Sequence, residues 1–149
     1  MKVQSRPSSR LDPVDAQAPS NLVLAEDEPM IGRILEFKLK MEGHNLLWVR
    51  SAREAEALVR KGGVDLLLCD VTLEEDGREL CRRLIKEGLE PPSGIVLMPE
   101  QRNPEGREQA LAAGAREVIL KPFKPTVVAA TIRPVSYTHL ASRKESPAG

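Results

Sequence analysis

Three places in this 149-residue chain carry side chains that suit one kind of chemistry. Glu26-Asp27-Glu28 closes a short apolar run, Asp70 closes another, and Lys121, followed by Pro122 and Phe123, closes a third. Carboxylates brought close together repel, so either one takes up a proton or a cation fills the gap. An all-oxygen set suits a hard divalent ion, and Mg2+ keeps several waters while binding one or two carboxylates plus a phosphate. A lysine on the same rim adds positive charge, and carboxylates, cation and ammonium together make a receptacle for a phosphoryl group. Asp70 is the candidate nucleophile. A free aspartate titrates near about 3.9, so it is ionised at neutral pH and can accept phosphoryl as an acyl phosphate.

That chemistry requires a scaffold that gathers residues far apart in sequence. From Asn21 to about Ile132 short apolar runs alternate with helical patterns. Strands are expected at 22–25, 46–49, 64–69, 95–98 and 117–120. Helices are expected at 30–42, 51–60, 76–87, from Asn103-Pro104 to Ala113, and at 126–132. The first is read from Met30, Ile34, Phe37 and Met41, which recur at helical spacing and end at Gly43. The second opens with a capping box, Ser51 with Glu54, and closes at Gly62-Gly63. Asn103 is the expected cap of the fourth, with Pro104 at its first position. Near-continuous apolar strands need both sheet faces covered. The expected fold is therefore α/β: a doubly wound, five-stranded parallel sheet of flavodoxin-like order 2-1-3-4-5 in a three-layer α/β/α sandwich. In such a sheet every strand points its carboxyl end to one edge, where ligands bind at the switch in strand order. Asp27 and Asp70 then face each other across that crevice.

Composition removes other classes. Lys+Arg and Asp+Glu both total 22, so no basic excess marks a nucleic-acid surface. Aromatics are 3%, too few for a base-stacking platform. The first strand is followed by acidic residues rather than a Gly-rich phosphate loop, and neither a Ser-His-Asp set nor a zinc-spaced Cys/His cluster is present, so no enzymatic role of its own is expected. Cys69 and Cys81 fall in apolar-periodic stretches and read as buried reduced thiols of a cytoplasmic protein. No apolar run is long enough for a transmembrane helix, and no secretory h-region is visible. Residues 1–20, rich in Pro and Ser, read as a disordered leader or linker, residues 21–133 as the folded domain, and residues 134–149 as an irregular tail, artefactual or disordered.

Four segments carry a resemblance: Leu22-Val23-Leu24-Ala25-Glu26-Asp27-Glu28-Pro29, Val64 to Asp70, Ala112-Ala113-Gly114-Ala115, and Val118-Ile119-Leu120-Lys121-Pro122-Phe123. In order and spacing the chain resembles the receiver domain of bacterial two-component response regulators. The resemblance implies that Asp70 is the phosphoacceptor and that Glu26 and Asp27 hold Mg2+ with Asp70 and the backbone carbonyl of Thr72. It implies that Lys121 contacts the phosphoryl oxygens and that the Lys121-Pro122 bond is cis. The implied partner is a histidine kinase or histidine phosphotransfer protein, with a homodimer left open and no direct DNA binding from this chain.

There are departures. The family's Ser or Thr after the fourth strand is Pro99 here, which has neither hydroxyl nor N–H. The family's aromatic three residues before the lysine is Val118. The loop after Asp70 lacks the usual proline and is expected to add acidic charge near the site through Glu74, Glu75 and Asp76. These losses leave a second reading: a phosphorylation-independent receiver acting as an interaction module through its fourth and fifth helices.

Overall fold

The computed structural model describes residues 20–132, so the expectations for the leader (Ser20 apart) and for the tail lie outside the described residues. The strands are β1 (Asn21–Ala25), β2 (Asn45–Val49), β3 (Leu66–Asp70), β4 (Ile95–Met98) and β5 (Glu117–Val118). Between them run α1 (Pro29–Met41), α2 (Ala52–Lys61), α3 (Gly77–Lys86) and α4 (Gly106–Ala112). A fifth helix, α5, occupies residues 125–132. All neighbouring strands pair in parallel, and their order is 2-1-3-4-5. The doubly wound fold expected from the alternation is the fold observed.

Period-two alternation sorts each strand between two cores. Val23, Ala25, Leu67, Cys69, Ile95 and Leu97 face the side covered by α2, α3 and α4, where Ala55, Val59, Leu80 and Leu84 meet them. Leu22, Leu24, Leu66, Leu68, Val96 and Met98 face the other side, against Leu35 and Leu39 of α1 and Val128, Ala129 and Ile132 of α5. Burying a Leu or Val side chain contributes roughly 1.5–3 kcal/mol, so the two rows carry most of the driving force. Cys69 and Cys81 are free and buried. Burial pushes both thiols up, Cys81 to about 11. Among the described residues no helix is long and apolar enough to cross a membrane.

Three local expectations are corrected. Helix α1 forms where its spacing predicts, but the stripe that defined it faces outward: Met30, Ile34, Phe37 and Met41 are 75%, 46%, 67% and 66% exposed. The buried row is Gly32, Leu35 and Leu39, with Ile31 half-buried. Residues 31, 35 and 39 form an i,i+4 row of their own, and the more conspicuous row lost the contest for the sheet. Helix α4 starts at Gly106, after turns at 104–105, and Asn103 does not cap it. The Asn103 side chain instead accepts the Glu105 N–H within that turn. Strand β5 is short, although Ile119 and Lys121 still donate backbone N–H groups to Leu97 and Pro99.

Candidate functional site

The two-residue period that builds the α1/α5-side core also builds the site. On that face the row Leu22-Leu24 continues to Glu26, Leu66-Leu68 continues to Asp70, and Ile119 continues to Lys121. Each row changes from apolar to charged where its strand reaches the carboxyl edge. Glu26, Asp70 and Lys121 are consequently 0%, 3% and 4% exposed. Asp27, one residue on, is exposed at the rim.

The four predicted side chains converge. Carboxylate oxygens of Glu26, Asp27 and Asp70 lie within 4.8 Å of one another. Lys121 Nζ stands 3.1 Å from Glu26 Oε1 and 3.4 Å from Asp70 Oδ2. Asp70 Oδ1 accepts the Thr72 N–H at 3.3 Å. The Lys121-Pro122 bond is cis. Behind Asp70, Gly77 leaves no room for a side chain, since a Cβ there would run into the Asp70 carbonyl.

Burial raises the Glu26 carboxyl to about 7, and repulsion from Asp70 adds to it against the Glu28 N–H and the Lys121 charge. Asp70 is also raised, again chiefly by burial, with Lys121 and the Thr72 N–H opposing. Burial works against the Lys121 ammonium, but Asp70 and Glu26 outweigh it and hold the lysine protonated above its usual range. Two buried carboxylates lifted by desolvation, Glu26 further by Asp70 and Asp70 by Asp27, form an oxygen-only set whose repulsion Lys121 offsets only in part. Such a set fits a hard divalent cation.

Sequence reasoning missed three side-chain partnerships at and around the site. Glu28 Oε1 takes a third hydrogen bond from Lys121, at 3.2 Å. The Trp48 indole N–H donates to the Glu26 carbonyl at 2.9 Å. Glu74 caps α2, accepting the Ala52 and Arg53 N–H groups at 2.9 and 3.0 Å. With Glu75 paired to Arg83 and Asp76 to Arg78, all three acidic side chains of that loop have partners outside the carboxylate cluster. The expectation that they add charge to the site is therefore corrected: helix-end N–H groups and guanidinium cations attract them more strongly. Pro99 is buried, and its carbonyl accepts the Lys121 N–H at 2.9 Å. Val118 is a core residue, 7% exposed.

The response regulator receiver domain family model matches residues 22–133. The chain belongs to this family. Curated relatives of this receiver domain include the swarming motility regulation protein RssB of Serratia marcescens, 33% identical over 69% of this chain and 47% of that protein. The phosphate regulon transcriptional regulatory protein PhoB of Pseudomonas aeruginosa is 29% identical over 76% of this chain and 50% of its own length. The chain thus spans about half the length of the curated relatives it matches. Among solved structures, the signal receiver domain of a histidine kinase from Syntrophus aciditrophicus superposes with a TM-score of 0.69 at 27% identity, over 80% of this chain and 91% of that one. A Saccharomyces cerevisiae response regulator receiver domain, crystallised with a histidine phosphotransfer protein, shares the fold with a TM-score of 0.71 at 19% identity, over 80% of this chain and 90% of that one.

Proposed function

We propose that this receiver domain takes a phosphoryl group onto Asp70 from a phosphohistidine donor in two-component signal transduction. One observation carries the reading: a buried aspartate whose oxygens share a 4.8 Å cluster with Glu26 and Asp27 while a buried lysine stands 3.4 Å away. Asp70 is the nucleophile. Its carboxylate oxygen bonds to phosphorus as the N–P bond of the donor breaks, and the imidazole nitrogen leaves with the electron pair. Lys121 balances the charge that builds on the phosphoryl oxygens and holds the Asp70 carboxylate in place. Glu26, Asp27, Asp70 and the Thr72 carbonyl would hold Mg2+, which supplies charge neutralisation to the transferred group.

The partner class is a histidine kinase or histidine phosphotransfer protein. The outward stripe of α1 supports this, since it starts at Met30, two residues beyond Glu28 on the rim of the site, and an apolar helix face suits docking against a helical partner. The reading places the domain in the cytoplasm, acting by accepting and passing a signal rather than by turning over a metabolite, with no DNA contact of its own.

Treatment with a small phosphodonor and Mg2+ tests the acceptor. Intact-mass analysis should show one phosphoryl gain in the wild type and none in Asp70→Asn. An unmodified wild type sinks the proposal.

Pro99 and Val118 favour a second reading in which the fold acts without phosphorylation. Pro99 offers a phosphoryl group no donor. Val118 packs in the core where the family has a movable aromatic. Leu111 on α4 and Val127 on α5, 48% and 50% exposed, would then mark the contact face. A wild type that takes up neither phosphoryl nor Mg2+ yet still binds its partner selects this reading.

A further inference from the structure

We propose that Trp48 is a positioning residue for the cation-binding pair Glu26 and Asp27; the inference rests on the phosphoacceptor reading of the same site. The peptide linking these two carboxylates lies just beyond the end of β1 and has no strand of its own to hold it. Strand β2 holds the two peptides that flank the Glu26 Cα, one by its backbone and the other by a side chain. The Glu26 N–H donates to the Val49 carbonyl at 3.0 Å. The Glu26 carbonyl accepts the Trp48 indole N–H at 2.9 Å. In a parallel ladder the next rung to that carbonyl would come from the backbone two residues past Val49, which is Ser51. Ser51 has already left the sheet to cap α2, its hydroxyl accepting the Glu54 N–H. The indole therefore supplies the rung that the backbone cannot.

The ring is itself fixed. A Cβ on Gly32 of α1 would run into the indole, so the absence of a side chain there is what admits it. The Arg50 guanidinium lies over the same ring, 4.9 Å from its centroid. The hydrogen bond sets the tilt of one peptide plane, and that plane aims Glu26 inward and Asp27 to the rim. Cation ligands held in place by a neighbouring hydrogen bond bind better than the same ligands left to rotate.

The test is Mg2+ titration calorimetry on the full chain, at a temperature where circular dichroism shows each variant folded. Trp48→Phe keeps the ring and removes the donor. It should bind Mg2+ about fivefold more weakly, as expected for one hydrogen bond. Gly32→Ala, which displaces the indole, should give a similar loss, and the double variant should lose no more than either single one. The amide nitrogen resonance of Asp27 should move in the Trp48→Phe spectrum without Mg2+, because its own peptide carbonyl has lost a donor. Unchanged Mg2+ affinity in Trp48→Phe overturns the proposal, as does weaker binding with an unmoved Asp27 resonance, which would make the tryptophan mere packing. A wild type that binds no Mg2+ overturns the phosphoacceptor reading together with this one.

Discussion

Glu26 is the residue on which the chemistry and the stability of the site pull in opposite directions. Its carboxyl lies near 7 in the fold, against 4.5 for an ordinary glutamate. Between those values the folded, cation-free protein keeps a proton that the unfolded chain has released. Stability without cation therefore falls as pH rises through this window, the reverse of a carboxylate that the fold holds below its ordinary range. A cation needs the ionised form, so protons compete with it. The Mg2+-induced rise in Tm should be larger at about pH 8 than at about pH 6, and Glu26→Gln should flatten that difference. Equal shifts at both pH values in the wild type would show that Glu26 takes no part in binding the cation.

At the scale of elements, the loop that follows β3 is fastened to the start of its neighbouring helix. Glu74 accepts two N–H groups of α2, and backbone N–H groups hold its carboxyl below the usual range against the desolvation that opposes them. Glu74→Ala should cost on the order of 1 kcal/mol of stability, as loss of a helix cap does, read as a lower midpoint in urea. An unchanged midpoint would mean that solvent serves the helix end equally well. This is also the scale at which sequence and structure part company. Strand order and the gathering of Glu26, Asp27, Asp70 and Lys121 were legible, because alternation and strand ends are local properties that topology carries into space. The orientation of α1 was not. Two apolar rows compete on that helix, and the choice depends on how Gly32 meets Trp48 across the layer. The partners of Glu74, Glu28 and Trp48 were hidden for the same reason: each joins a side chain to a group on another element. The start of helix α4 was misjudged by two residues because Asn103-Pro104 carries a start signal that a turn can use equally well.

For the whole molecule, the exposed row Met30, Ile34, Phe37 and Met41 is a sizeable apolar surface on an otherwise charge-laced helix. Contiguous apolar surface of this kind marks contact sites. If a phosphohistidine protein docks there, Phe37→Glu should slow phosphoryl transfer from that protein about tenfold or more, the usual consequence of losing a central aromatic anchor. Labelling by a small phosphodonor should stay at the wild-type rate, since Phe37 lies outside the carboxylate cluster. Equal slowing with both donors would mean that the substitution disturbs Asp70 itself.

The meeting of Gly32 and Trp48 also has a historical consequence. Neither position can drift alone: any larger residue at 32 collides with the indole, and a smaller residue at 48 leaves a void under the helix. Lineages descended from this sequence are thus expected to change the two together or not at all, a paired signature that would separate this branch from receivers whose helix and second strand meet through other residues.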